Sequence, residues 1–148
     1  MSAVPELTAD PEFTANGIRL QLRIGLDGAG LPDGCGVGTA EDPLVIDLTN
    51  GTTTPPDGVT PLTGNQGSAS FDAINSIITS SHIVYVDNGY AVPAASGCGA
   101  TIAGQDVGSV DGAINTHAGL PAAAGASETY ARDARVSAAF DLTKVFGS

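Results

Sequence analysis

Apolar and polar residues alternate most regularly near the start of the chain. From residue 18 to residue 26 every second position is isoleucine or leucine, and the positions between them are arginine, glutamine or glycine. Strict alternation with a period of two is typical of a β-strand with one face against a core and the other in solvent. The sequence therefore predicts a strand over 18–26, in a sheet that covers the core on one side only.

Further strands are predicted from shorter patterns of the same kind. Residues 44–48 and 134–142 each read as a strand, and residues 100–104 as a short one. Residues 82–93 predict a hairpin, because Asn88-Gly89 separates two apolar runs and supplies the positive φ values of a tight turn. These segments extend the sheet begun by residues 18–26.

Four segments lack that period. In residues 70–79 the apolar positions recur at helical spacing and a serine could cap the start, which favours a short helix over a bulged strand. Residues 49–67 and 111–128 are rich in small and polar residues and predict two long loops, a length that usually accompanies function or mobility. Residues 1–16 predict an extended arm or a first edge strand.

Together these elements define the expected fold class. They amount to six or seven short strands with at most one short helix, and strands do not alternate with helices along the chain. That order is the signature of an all-β fold, an antiparallel β-sandwich or a small barrel. A length of 148 residues is typical of a single domain, so residues 1–148 are expected to form one.

The two cysteines have the same local sequence, with glycine on both sides of Cys35 and of Cys98. Flanking glycines allow the close backbone approach that a disulfide requires. Two cysteines in a chain rich in turns also suit an oxidising compartment. We therefore predict a Cys35–Cys98 disulfide and no metal site, because histidine ligands do not follow at the spacing that zinc sites use.

Charge narrows the range of partners. Sixteen acidic residues and five basic ones give a net charge of −11. Affinity for nucleic acid comes mostly from lysine and arginine on phosphates, so a nucleic-acid partner is excluded, and anionic membrane surfaces are disfavoured for the same reason. No apolar run approaches the ~20 residues of a membrane-spanning helix.

Catalytic and cofactor motifs are missing from the sequence. His82 and His117 are the only histidines, and no Gly-x-Ser-x-Gly elbow accompanies them. The carboxylates of the Asp27–Gly34 loop depart from the spacing of known calcium loops. The sequence therefore predicts no catalytic residue, no metal ligand and no cofactor, and we expect a protein that is not an enzyme.

Three stretches of the second half carry a resemblance, namely Val92–Gly99, Asp111–Asn115 and Ala118–Gly125. They resemble uncharacterised exported proteins of actinobacteria over about a quarter of the chain. The resemblance implies a secreted or cell-envelope location, and it carries over no catalytic residue. Residues 1–6 do not have the basic and apolar regions of a signal peptide, so export would require a signal that was removed.

Three functions remain open at this point. The first is an interaction or structural module without catalysis, whose partner is a protein or another cell-surface component. The second is a carrier of a small apolar ligand or lipid, and the third is an oligomeric channel subunit. An interaction module should meet its partner through the loops at 49–67 and 111–128, with a filled core and an exposed apolar patch at the loop end, whereas a carrier should enclose a cavity.

Overall fold

The computed structural model describes residues 1–99, 101–102, 105–106 and 110–139, and for residues 101–102 and 105–106 it describes the backbone. The described part of the chain forms, in order, β1 (Ser2–Leu7), β2 (Glu12–Thr14), β3 (Gly17–Asp27), β4 (Gly36–Val37), β5 (Leu44–Thr49), β6 (Ser68–Asp72), β7 (Ile77–Asp87), β8 (Ala95–Ser96), β9 (Thr101–Ile102), β10 (Gln105–Asp106), α1 (Val110–Ala118) and β11 (Thr129–Ala139). The all-β class with one short helix is confirmed, with more strands than the six or seven predicted.

Nine of these strands form one antiparallel sheet, and β9 and β10 pair with each other. The main strand order is β11-β7-β5-β3-β4-β8. β1 and β2 pair with the other side of β3, and β6 pairs with the first half of β7. The predicted strands over 18–26 and 44–48 are confirmed as β3 and β5, and the predicted first edge strand is present as β1 and β2.

The core lies between two halves of this sheet. Among the described residues, Thr49 and Val86 are the one paired position that joins β5 to β7. Alternate side chains of β5 pack against Ile83 and Tyr85 of β7, and apolar residues of β3 and β11 complete the cluster. The alternation seen in the sequence therefore does place one face of β3 against the core.

Two irregularities interrupt the pairing of β7 with β11. The register shifts on either side of the pair formed by Ala134 and Ile83, and His82 and Asp133 have positive φ values of 58° and 56°. Each shift is a β-bulge, in which two residues of one strand face one residue of its partner. Because a bulge adds a residue without exchanging the two faces of the strand, Ile78 and Val136 lie on the same face as the buried Ile83.

The helix favoured for residues 70–79 is wrong. This segment is a hairpin, in which β6 ends at Asp72 and β7 begins at Ile77. The Asp72 carboxylate accepts hydrogen bonds from the backbone N–H groups of Ile74 and Asn75 and from the Asn75 side chain, and the side-chain bond is the largest cause of a lowered Asp72 pKa. Aspartate at a turn competes with helix formation in this way.

The hairpin predicted for residues 82–93 is also wrong. β7 continues as a single strand to Asp87, and the chain beyond it turns away so that Val92 pairs with Ala122. Asn88 is fully buried: its side chain donates to the carbonyl of Thr60 and accepts from the hydroxyl of Thr53. The Asn-Gly pair thus serves a buried hydrogen-bond network rather than a tight turn.

Toward the C-terminal end, the observed bounds of the helix and strands differ from the predicted ones. The loop predicted over 111–128 is wrong in its first half, since α1 occupies Val110–Ala118. The predicted strand over 134–142 starts earlier, at Thr129, and residues 140–142 lie outside the described residues. The bulge at Arg132 and Asp133 hides the alternation from sequence inspection. Of the strand predicted over 100–104, residues 101–102 form β9, and residues 100, 103 and 104 lie outside the described residues.

Candidate interaction surfaces

The predicted disulfide is formed. Cys35 and Cys98 are bonded, both are fully buried, and their Cα atoms lie 4.3 Å apart. The Arg23 guanidinium donates to the carbonyls of Gly34 and Cys35, at 3.0 Å each. The bridge therefore holds the chain before β4 against the chain after β8, a structural role.

A groove of about 830 Å³ runs along the outer face of β5. β5 places Val45, Asp47 and Thr49 in the groove, because the alternate residues of that strand point into the core. The sides are formed by residues 52–54, residues 89–93 and residues 121–122. The groove is thus built on the sheet itself, with loops as walls.

The polar groups of this groove are mostly engaged with the protein. The Asp87 carboxylate accepts hydrogen bonds from the backbone N–H groups of Asp47 and Gly89, at 2.8 Å each. Asp47 Oδ1 lies 3.7 Å from Arg19 Nε in an ion pair, and both side chains are about half exposed. The groove lining mixes carboxylates and hydroxyls with proline and valine, so it does not resemble the enclosed apolar cavity that a lipid carrier would need.

His82 and Asp133 form a hydrogen-bonded pair across the two bulges. His82 Nδ1 lies 2.8 Å from Asp133 Oδ1, and each side chain is 78% exposed. Neither residue lines the groove, and within the described residues neither a hydroxyl nor a thiol bonds to His82. The pair has the geometry of a base and its orienting carboxylate, but the nucleophile of a catalytic triad does not accompany it there.

The other metal-ligating side chains and the second histidine stay apart in the same part of the chain. Across the described residues, three or more metal-ligating side chains never come together. The described helix is neither long nor apolar enough to cross a membrane. His117 lies in the last turn of α1, away from His82 in sequence and on a different element.

An apolar surface extends the core face of β6, β7 and β11 into solvent. We call it the blade, and it consists of Ala69, Phe71, Ile78, Val136 and Ala138, with Ile74 at the tip of the β6–β7 turn. Phe71 and Ile78 are directly opposite each other, and Ile78 is opposite Ala138 on its other side. The exposed fractions are 58% for Phe71, 39% for Ile78, 37% for Val136 and 93% for Ile74.

A second exposed apolar surface lies on β1 and β2, which pair with the side of β3 away from β5. β1 and β2, with the turn between them, form what we call the arm, residues 1–14. Leu7 pairs with Leu22 and Phe13 with Ile18, so both share the core face of β3, yet both are more than half exposed. The core face of the sheet is therefore left uncovered at the blade and at the arm in the described structure.

The blade and the arm differ in the charged residues that lie beside them. β11 carries Arg132 and Arg135, two of the five basic residues of the chain. The arm instead carries Glu6, Asp10 and Glu12, all exposed and with no basic residue among residues 1–14. Asp72 of β6 and Asp133 of β11 also lie beside the blade, so both signs of charge border it, and the arm carboxylates Glu6 and Glu12 face Arg23 and Arg19 of β3.

Comparison of the chain with protein-family models, with curated protein sequences and with solved structures found no match. The site therefore has to be interpreted from its own geometry. The sequence indicated the disulfide residues, but it did not indicate the blade. Phe71, Ile74, Ile77 and Ile78 recur at helical spacing and predicted a helix, and only strand pairing shows that Phe71 and Ile78 share an exposed face.

Proposed function

We propose that this protein is a secreted or cell-envelope interaction module that works by binding a partner, without catalysis. The observation that carries the proposal is the blade, an apolar surface continuous with the core and exposed on three adjacent strands. Contiguous exposed apolar patches on globular proteins mark interaction sites, because leaving them in water is unfavourable. The Cys35–Cys98 disulfide supports export, since disulfides persist in oxidising compartments.

The resemblance to exported actinobacterial proteins also supports an envelope location. A binding role fits the remaining surface better than catalysis does. The His82–Asp133 pair lies outside the groove, and two of the three groove carboxylates, Asp47 and Asp87, are engaged by Arg19 and by backbone N–H groups, while the third is Asp42. The Asp87 carboxylate therefore connects the end of β7 to β5, a structural role.

The test is native mass spectrometry of the protein isolated from its own source, followed by two variants. We expect added mass of macromolecular size that disappears on denaturation. Phe71→Ser with Ile78→Ser should remove it, while Val45→Ser in the groove should retain it. Added mass of a few hundred daltons that survives the blade substitutions and is lost in the groove variant would instead establish a small-molecule carrier.

A further inference from the structure

The edge of β5 that faces away from β3 presents the backbone groups of Val45 and Asp47. The backbone N–H of Thr8 bonds to the carbonyl of Gln21, so Gln21 directs its backbone groups toward β1 rather than toward β5. Val45 is the residue opposite Gln21, and in an antiparallel pair two opposite residues either bond to each other or both point outward. The backbone groups of Val45 therefore point away from β3. Those of Asp47 point the same way, and its N–H bonds to the Asp87 carboxylate at 2.8 Å.

This edge is left without a neighbouring strand over most of its length. β7 pairs with β5 at Thr49 and Val86, and β7 ends at Asp87. Within the residues that the structure describes, no hydrogen bond reaches the N–H or the carbonyl of Val45, or the carbonyl of Asp47. These backbone groups are therefore free to pair with an added chain.

The free edge lies in the groove described above. Val45 and Asp47 line the groove, and so does Asp87, whose carboxylate bonds to this edge. The groove has a volume of about 830 Å³, and its walls include residues 52–54 and 89–93. An extended peptide that adds to a sheet edge gains affinity from its backbone hydrogen bonds and specificity from alternate side chains. A groove walled by loops admits such a single chain more readily than it admits the edge of another sheet.

The charged residues of the groove indicate what kind of peptide it accepts. Asp42, Asp47 and Asp87 line it together with Arg19, so negative charge exceeds positive charge there. Arg19 pairs with Asp47, whereas the hydrogen-bond donors to the buried Asp87 carboxylate are backbone N–H groups. The next cation of β3, Arg23, does not line the groove and is paired with a carboxylate of β1. The lining therefore favours a cationic guest.

From the free edge and these charges we infer that the groove binds an extended peptide with basic side chains, which adds to β5 as an antiparallel strand. The guest residue opposite Val45 exchanges two hydrogen bonds with it, and the guest residue opposite Asp47 donates another to the Asp47 carbonyl. Side chains of opposite residues share a face, so a lysine or arginine opposite Asp47 lies beside its carboxylate. This site is separate from the blade and goes beyond the proposed function.

The test is an NMR titration of the isotope-labelled full chain with the acetylated and amidated peptide TKVVVKT. Its central valine fits opposite Val45, and its lysines then share the outer face with Asp47. We expect shifts of the Val45 and Asp47 amide signals and hydrogen exchange of the Val45 amide that is slower by at least about tenfold. The Ile46 amide belongs to the residues that bond to β3, so it should be protected before and after the titration.

Methylated peptides distinguish strand addition from adsorption to the surface. Methylation of the backbone nitrogen of the central valine removes the donor to the Val45 carbonyl, and it should weaken binding by at least about tenfold. Methylation of the next nitrogen, which points away from β5, should leave the affinity nearly unchanged. Equal effects of the two methylations would show that the peptide does not pair with this edge, and would overturn the inference.

The contribution of charge is tested from both sides of the contact. The peptide TEVVVET should bind at least about tenfold more weakly than TKVVVKT, because its side chains repel the groove carboxylates. Asp42→Asn should weaken binding of the lysine peptide and narrow the difference between the two peptides. Asp57→Asn is the matched control, since Asp57 is an exposed acid that does not line the groove. Equal binding of the two peptides to the wild-type chain would contradict a site for basic peptides.

Two other results would also overturn the inference. One is a Val45 amide that is already protected in the free protein, and the other is no binding of the lysine peptide at about 1 mM. A neutral oligosaccharide that shifts the same amide signals when the peptide does not would assign the groove to sugars instead. The blade variant, Phe71→Ser with Ile78→Ser, should bind the lysine peptide as the wild-type chain does. Failure of the groove site and failure of the proposed function are therefore distinguishable.

Discussion

At the scale of single residues, one of the fully buried side chains is polar. Asn88 is completely buried, yet its amide oxygen and nitrogen both have partners, in Thr53 and in the carbonyl of Thr60. The Thr53 hydroxyl also accepts a hydrogen bond from the N–H of Leu62. One asparagine therefore ties the long loop of residues 50–67 to the end of β7.

Replacing Asn88 by alanine should destabilise the protein by about 1–3 kcal/mol, because it leaves buried polar groups without partners. The matched control is Asn16→Ala in the exposed turn before β3, whose side chain makes no hydrogen bond within the described residues and whose loss should cost less than about 0.5 kcal/mol. Urea unfolding of both variants, followed by circular dichroism, gives the comparison. Equal effects of the two substitutions would show that the buried network contributes little.

At the scale of elements, side chains of α1 attach the helix to the sheet. They form hydrogen bonds with the backbone of the chain at β8, as a neighbouring strand would. The Asn115 amide accepts from the N–H of Ala95 at 2.7 Å and donates to the carbonyl of the same residue at 3.1 Å. Asp111 accepts from the N–H of Cys98 at 2.6 Å. Ile114 is partly buried but no residue of α1 is fully buried, so these hydrogen bonds are a large part of what attaches the helix to the sheet.

Substituting Asn115 by alanine should therefore release α1 without unfolding the domain. We expect amide hydrogens of residues 113–118 to exchange at least about tenfold faster, which corresponds to about 1.4 kcal/mol of lost local stability. Thr116→Ala is the control, because the Thr116 hydroxyl bonds only within the helix, to Gly112. Unchanged protection in the Asn115 variant would mean that other contacts hold α1.

The same elements show how far the sequence could predict the fold. β3 and β5 were predicted correctly because burial imposes a period on their side chains. The β6–β7 hairpin was missed because exposed apolar residues such as Phe71 recur in a pattern that resembles the buried face of a helix. α1 was missed because it has no fully buried residues and therefore no clear apolar pattern. The disulfide was predictable from local glycines. The blade was not, since it depends on which strands become neighbours.

At the scale of the whole molecule, the disulfide closes a long loop that contains the buried residues of the core cluster. Cys35 and Cys98 are 63 residues apart in sequence, and strands β4 to β8 lie between them. The bonded pair therefore connects segments that the sheet order already places side by side, β4 and β8. Its stabilisation comes mainly from the unfolded chain, whose freedom the bond restricts.

Reducing the bond should lower stability by about 4 kcal/mol, as the chain-entropy relation gives for a loop of this length. The thermal midpoint should fall by roughly 10 °C, which scanning calorimetry with and without dithiothreitol would measure. Cys35→Ser with Cys98→Ser should reproduce the reduced value and not respond to the reductant. A midpoint that does not move on reduction would show that the bond is redundant.

The closed loop also sets how the molecule responds to mechanical force. A pull applied between β3 and β11 acts on strands that lie on opposite sides of the 35–98 loop in sequence. Because the bond carries the tension past that loop, the 63 residues of separation cannot extend, and roughly 220 Å of contour length is withheld. Oxidised protein should therefore behave as a short tether, and reduced protein as a long one.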